Sequence, residues 1–183
     1  EAPAAAQKEP QQGLQPLTGV AARIVANMED SLSVPTAAST REVPVKVLEE
    51  NRHILNRHQQ GLFLSKVSFT HLIAFAALQA IQKVPAMAGA FVLQDGKPFR
   101  RRTDSVNFGI AVDLPGKDGR RSLVVPNVKN AGSMDFKAFL AASNAVIDRA
   151  RAGKLVPDDF ADTTWTLTNP GTIGTQSSLP RLM

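Results

Sequence analysis

Between Ser105 and Leu114 the chain alternates without a break. Val106, Phe108, Ile110, Val112 and Leu114 face one way, and Asn107, Gly109, Ala111 and Asp113 the other. A period of two belongs to a pleated strand, so this run predicts a strand with one buried face. Pro115 to Gly119 read as a turn, and Leu123-Val124-Val125 as a returning strand, which gives a hairpin. The sequence on either side has a different period. Phe69, Leu72, Ile73, Ala76, Ala77, Ala80, Ile81 and Val84 recur at helical spacing, with Ser68 as N-cap and Pro85 as terminator. Phe75 and Leu78 lie on the opposite face of that helix, which predicts burial on more than one side. After the hairpin, Ser133 is the expected cap of another helix that buries Phe136, Phe139, Leu140, Val146 and Ile147. Arg149 and Arg151 suit its C-terminal dipole and Gly153 its C′ position. Residues 163–168 read as a last strand. Helices and hairpins without a regular strand–helix–strand alternation predict an α+β fold with a mixed sheet.

Earlier in the chain, residues 18–32 predict a helix with Val20, Ile24, Val25 and Met28 on one stripe. An extended segment over 36–43 follows. A second helix over 45–58 has Leu48, Ile54 and Leu55 as its apolar side and Glu49, Glu50, Arg52 and Arg57 in water. Phe91-Val92-Leu93 runs into Asp95-Gly96, a tight-turn signal. Residues 1–13 hold Ala, Pro, Gln, two Glu, one Lys and a final Gly; they cannot pack a core and read as a linker. The fold is expected in residues 14–183. Both ends read as cuts through a longer protein.

With 43% hydrophobic residues the chain can build a core, and wholesale disorder is excluded. The absence of Cys removes disulfides, thiol catalysis and Cys-ligated metals, and fits a cytoplasmic location. No apolar run approaches the roughly 20 residues that span a bilayer, so no membrane partner is expected. The net charge of +5 brings nucleic acid into consideration. Against it, the basic residues are dispersed apart from Arg100-Arg101-Arg102 and Lys117 to Arg121. The chain also has no Tyr and none of the aromatic–basic interleaving of single-strand binders. A solvated basic face, or a contact to an anionic cofactor, accounts for the charge better.

Candidate chemistry is sparse. His53, His58 and His71 stand in no metal-ligand spacing, and no metal site is expected. The Gly-rich turn at 171–174 lacks the Lys-Ser/Thr ending of a phosphate loop. The run from Trp165 to Thr175 is more informative. Trp165 and Leu167 share one face of a strand and Thr164, Thr166 and Thr168 the other, before a sharp turn at Asn169-Pro170-Gly171. Two readings fit: threonines that simply favour a strand, or a hydroxyl held at an edge to donate to an oxyanion.

The order of segments resembles the catalytic domain of the dihydrolipoyl acyltransferases of 2-oxoacid dehydrogenase complexes. The matching stretches are GVAARIVANMEDS with VPTAAST, SFTHLIAFAALQAIQKVPAM, VNFGIAVDLPGKDGRRSLVVPNV, DFADTTWTLTNPGTIGT and PRLM. They cover nearly everything after residue 13. TNPGTIGT, PRLM and the DLPGKDGRRSLVVP spacing look most similar to the actinobacterial form. In that form the acyltransferase-like domain precedes a thiamine-dependent 2-oxoglutarate decarboxylase/dehydrogenase in one polypeptide.

The resemblance implies a chloramphenicol-acetyltransferase-like two-layer fold. It implies transfer of an acyl group, succinyl in this form, between dihydrolipoamide and coenzyme A, within the tricarboxylic acid cycle. Thiamine diphosphate and Mg are implied only for the rest of the parent protein. Lipoyl domains, other complex components and copies of the same chain in trimer-type contacts are the implied partners. Thr168 falls on the family's oxyanion hydroxyl and Asn169 on the turn beside it. Asn107, Gly109, Asp113 and Val125 fall near the channel for coenzyme A and its acyl group. The family's catalytic His, in an H-x-x-x-D-G motif, is expected beyond Met183. None of the three histidines here matches it, so this chain alone is expected to be nearly inactive. A scaffold or docking domain without catalysis of its own is the alternative.

Overall fold

The structure, a computed structural model, describes residues 14, 16–62, 64–115 and 121–179. The linker expected over 1–13 and, beyond Pro115, the turn expected up to Gly119 fall outside the described residues, as do residues 120 and 180–183. The chain divides into two compact units, Glu1–Arg41 with Ser177–Met183, and Glu42–Gln176. In the first, helix α1 spans Val20–Ser31, and Ile24 and Val25 are exposed.

The second unit carries the core. Helix α2 spans Lys46–Gly61 and α3 spans Phe69–Lys83. Strands β1 (Ala90–Gln94) and β2 (Lys97–Arg101) form a hairpin, with Asp95 at φ 52° and Gly96 at φ 72° in the left-handed region that a two-residue turn requires. Arg100 and Arg101, a basic cluster by sequence, belong to β2, paired opposite Phe91 and Ala90. Then come β3 (Phe108–Ile110), β4 (Val112–Pro115), β5 (Arg121–Val124), β6 (Asn127–Val128), α4 (Phe136–Arg151) and β7 (Trp165–Leu167).

The alternating run is not one strand. It breaks at Ala111: β3 is central in a three-stranded sheet ordered β6-β3-β7, while β4 pairs antiparallel with β5. β3 is antiparallel to β6 and parallel to β7, so the sheet is mixed. All three residues of β3 are buried, including Gly109 on the face expected to be polar. A central strand covered on both faces has no wet side, and alternation is then a poor guide to exposure.

Two helix faces also differ from expectation. α3 buries His71, Ala74, Leu78 and Ile81, with Phe75 half-buried, while Ile73 is exposed. Its sequence is apolar nearly all round, so the period identifies the helix without fixing its phase. On α2, Ile54 is exposed and Arg52 is half-buried, with its guanidinium 4.5 Å from the centroid of the Phe69 ring. Leu48, Arg52, Leu55, Asn56 and Gln59 are half-buried, one helical face with a polar middle.

The cap of α4 is Asp135, whose Oδ1 accepts from the Ala138 N–H at 2.7 Å. Ser133 instead sits in the short 3₁₀ turn Ala131–Ser133, its hydroxyl donating to the Asn130 carbonyl. Asp135 is the better candidate in hindsight, because it directly precedes the first helical residue. At the other end, Gly153 at φ 65° and the bonds Gly153 N–H to Ala150 O and Lys154 N–H to Arg149 O close the helix as expected. Phe108 and Phe139, both fully buried, meet edge to face at 6.2 Å and join the sheet to α4.

Candidate active site

β7 is held at both ends of its pairing with β3. Gly109 lies opposite Thr166, flanked by Phe108 opposite Trp165 and Ile110 opposite Leu167. The ladder continues outward: Thr164 N–H donates to the Asn107 carbonyl at 3.0 Å, and Ala111 N–H to the Leu167 carbonyl at 3.1 Å. The Trp165 ring stacks on Phe108 at 5.5 Å, and Trp165 and Leu167 pack against the core. Thr166 and Thr168 face outward. Thr164 does not share that freedom. Its hydroxyl accepts from the Asn107 N–H at 3.0 Å and donates to the Asn107 carbonyl.

The loop feeding β7 is fixed by a set of amides. Asn107 donates from Nδ2 to the Asp162 carbonyl and accepts at Oδ1 from the Asn130 N–H, each at 2.9 Å. Asn127, buried, donates to the Ala161 carbonyl and to the Thr163 hydroxyl, each at 2.8 Å. Lys129 Nζ adds a bond to the same Ala161 carbonyl at 2.7 Å. The two bonds to the half-buried Ala161 carbonyl satisfy a backbone group that would otherwise be costly. They also set the register in which β7 meets β3.

Asp159 anchors the loop from below. Its carboxylate accepts from Arg149 at 2.6 Å and from the Val156 N–H at 2.9 Å. The Arg149 hydrogen bond, then the Val156 amide, hold its pKa below the ordinary carboxylate value. A depressed folded pKa means a stabilising contribution that is complete above about pH 4 and lost as pH falls through the lowered value. Asp159→Asn is therefore expected to cost about 1–3 kcal/mol at neutral pH. Its stability deficit relative to wild type should shrink in acid, as read by urea midpoints across pH. A deficit that is constant with pH contradicts this assignment.

At its far end β7 stops at a turn. Thr168 is exposed, and among the described residues its hydroxyl has no hydrogen-bond partner. Asn169 follows, with its side chain half-buried and Nδ2 donating to the Thr70 hydroxyl on α3 at 3.0 Å. Pro170 opens the 3₁₀ turn Pro170–Ile173, and Gly174 at φ 85° ends it. Thr168 thus stands exposed at the end of a strand whose stem is clamped.

The other sequence candidates are distributed around this stem. Gly109 is adjacent to it. A Cβ on Gly109 would lie 2.9 Å from the Thr166 Oγ1 and 3.0 Å from the Thr163 Cγ2, so glycine is what lets β7 approach. Gly109→Ala is expected to destabilise by about 1–3 kcal/mol through overpacking. A thermal midpoint equal to wild type would show that Thr166 swings aside without cost. Asn107 is spent on the loop clamp. Asp113 lies on the separate β4–β5 hairpin, paired with Arg121, whose hydrogen bond lowers its pKa. Val125, half-buried, follows β5. The histidines are elsewhere: His53 and His58 are exposed on α2, and His71 is buried, its Nδ1 accepting from the Ser68 N–H. Burial lowers the His71 pKa. Among the described residues, no group of three or more His, Cys, Asp or Glu is placed to hold a metal.

The family model for the 2-oxoacid dehydrogenases acyltransferase (catalytic domain) matches residues 9–183. The chain belongs to this acyltransferase family. Within it, the chain is 50% identical over 169 residues to the multifunctional 2-oxoglutarate metabolism enzyme of Mycolicibacterium vanbaalenii. It is 48% identical to the enzyme of the same description from Mycobacterium sp. strain JLS. The first alignment covers 92% of this chain and 14% of the relative, so the chain spans a small part of the length of these relatives. The truncated catalytic core of the 2-oxoacid dehydrogenase multienzyme complex from Thermoplasma acidophilum superposes with a TM-score of 0.78 at 25% identity. That superposition covers 93% of this chain and 75% of that one. A probable dihydrolipoamide acetyltransferase from Listeria monocytogenes superposes with a TM-score of 0.75 at 24% identity, covering 93% and 69%. The α+β, chloramphenicol-acetyltransferase-like architecture is that of these acyltransferase cores.

Of the residues that hold the stem and its turn, Asn107 is a candidate from sequence, while Asn127, Lys129 and Thr70 carry no sequence signal of their own. Asn127 and Lys129 follow directly after the SLVVP run, and Thr70 sits in the first turn of α3. Their partners, the Ala161 carbonyl, the Thr163 hydroxyl and the Asn169 amide, lie more than thirty positions away, and no local pattern marks such pairs.

Proposed function

We propose that this acyltransferase domain moves a succinyl group between dihydrolipoamide and coenzyme A, with Thr168 as oxyanion donor. The observation that carries the reading is the exposed Thr168 hydroxyl, without a hydrogen-bond partner among the described residues, at the end of a stem fixed by β3, Asn107 and Asn127. In the forward step the thiolate of coenzyme A attacks the thioester carbon of succinyl-dihydrolipoamide. The carbonyl electron pair moves onto oxygen and the Thr168 hydroxyl donates to it. The pair returns as the carbon–sulfur bond to dihydrolipoamide breaks, and that thiolate takes up a proton. A thiol pKa near 8.5 calls for a base at neutral pH. His71 is unsuited to that role, being buried with Nδ1 already accepting a bond. None of His53, His58 and His71 stands in the H-x-x-x-D-G motif in which the family resemblance places the base, so on this reading the 183-residue chain alone is expected to be nearly inactive. Asn169 shapes the turn, and Gly109 serves the site by admitting β7. Asn107, Asp113 and Val125 border the coenzyme A channel, Asn107 through its hold on the loop.

The succinyl assignment rests on the 2-oxoglutarate enzymes at about half identity. A place in the tricarboxylic acid cycle is in line with the 2-oxoglutarate metabolism of those relatives; a cytoplasmic location, lipoyl-domain partners and a thiamine diphosphate- and Mg-dependent domain elsewhere in the polypeptide belong to the same proposal. β7 is an edge strand among the described residues, and an open edge favours a further strand or a second copy beside it, in line with trimer-type assembly. No described helix is long and apolar enough to cross a membrane.

The test offers succinyl-coenzyme A and acetyl-coenzyme A to the complete polypeptide with dihydrolipoamide as acceptor. A kcat/KM at least about tenfold higher for succinyl is expected. Equal use of acetyl removes the succinyl assignment. No transfer from either, by folded protein, replaces the catalytic reading with the scaffold reading.

A further inference from the structure

We propose that Thr70 is a positioning residue for acyl transfer, acting through Asn169 to fix Thr168; the inference rests on the oxyanion reading of Thr168. The strand stem fixes Thr168 from one side only. Beyond Leu167 the ladder to β3 has ended, and the backbone turns into Pro170. The side-chain bond that ties the turn to another element is Asn169 Nδ2 to the Thr70 hydroxyl, 3.0 Å, with both residues half-buried. It spans 99 positions of sequence and links the turn to α3.

Thr70 is itself well anchored. Ser68 caps α3, its hydroxyl accepting from the His71 N–H while His71 Nδ1 accepts from the Ser68 N–H, so the first turn is closed at both ends. The residue before the cap, Val67, is gripped by Asn56 of α2, which accepts from the Val67 N–H at 2.7 Å and donates to its carbonyl at 2.9 Å. Arg52 of α2 lies over the ring of Phe69. A rigid helix start therefore presents the Thr70 hydroxyl to Asn169, one residue from Thr168. A donor that must meet an oxyanion at hydrogen-bond distance loses rate when its backbone drifts, without loss of ground-state binding. This also gives the His71 pair a role: it holds the helix turn that holds the site.

Thr70→Val keeps the shape and removes the acceptor. In the complete polypeptide kcat for transfer is expected to fall about three- to tenfold with KM unchanged. Thr70→Ser, which restores the hydroxyl, should return kcat to within about twofold of wild type, a rescue that lost packing would not give. In a Thr168→Ala background Thr70→Val should cost less than about twofold, because its route to the reaction is gone. Thermal midpoints check that each variant is folded; if Thr70→Val is not, Thr70→Ala makes the same comparison. A Thr70→Val kcat within twofold of wild type, an equal loss with and without Thr168, or no rescue by serine overturns the proposal while leaving the Thr168 reading intact. A harmless Thr168→Ala removes both.

Discussion

Thr168→Ala in the complete polypeptide is expected to lower kcat by about 10²–10³, equivalent to about 3–4 kcal/mol of transition-state stabilisation. The substrate carbonyl carries little charge and the tetrahedral intermediate a full one, so the hydroxyl matters in the second state. Its loss should therefore appear in kcat and kcat/KM together, with KM little changed. The side chain is exposed and bonded to nothing among the described residues, so its removal should shift stability by less than about 0.5 kcal/mol. That separation makes the test clean, because a rate loss cannot be ascribed to unfolding. Thr168→Ser keeps the donor and should retain most of the rate. A Thr168→Ala rate within about threefold of wild type would show that no oxyanion donor sits there.

Phe108→Ala is the substitution expected to harm the fold most. Phe108 is fully buried at the centre of the mixed sheet, edge to face with Phe139 of α4 and stacked on Trp165 of β7. Truncation removes the ring that joins helix layer to sheet and leaves a cavity lined by aromatic side chains. Such losses cost about 3–5 kcal/mol, a large share of the 5–15 kcal/mol typical of a domain. The effect should reach the site as well, since Trp165 faces Phe108 in the β3–β7 pairing and the stem of Thr168 begins there. A urea midpoint corresponding to a loss under about 1 kcal/mol would mean that Trp165 and Phe139 close over the gap.

How much of this could be read beforehand varies element by element. The α3 boundaries, the Asp95-Gly96 hairpin turn, the β4–β5 hairpin and the Gly153 helix end were legible, because a cap, a turn dipeptide or a stop residue marks each locally. The phase of α3 was not, since apolar residues surround it and tertiary packing, with Phe75 against Phe136 and Phe139, selects the His71–Leu78 side. The break at Ala111 was hidden for a related reason. The same alternation serves two sheets, and the buried Gly109 owes its place to Thr166, far along the chain. Thr168 and Asn169 are proposed as site residues through segment order and a turn signature. Thr70, Asn107 and Asn127 act through bonds that long-range folding alone creates, so their positions were visible while their tasks were not.

The most direct measurement is succinyl transfer to coenzyme A by the complete polypeptide, by its Thr168→Ala variant and by the 183-residue chain alone. Rapid transfer by the first, a loss of about 10²–10³ in the second and near-silence from the third are the predicted results, since on the proposed reading Thr168 is the oxyanion donor and none of the three histidines of the chain is the base. Transfer by the 183-residue chain at the rate of the complete polypeptide, or undiminished transfer after Thr168→Ala, would contradict the claim that Thr168 forms one half of the active site.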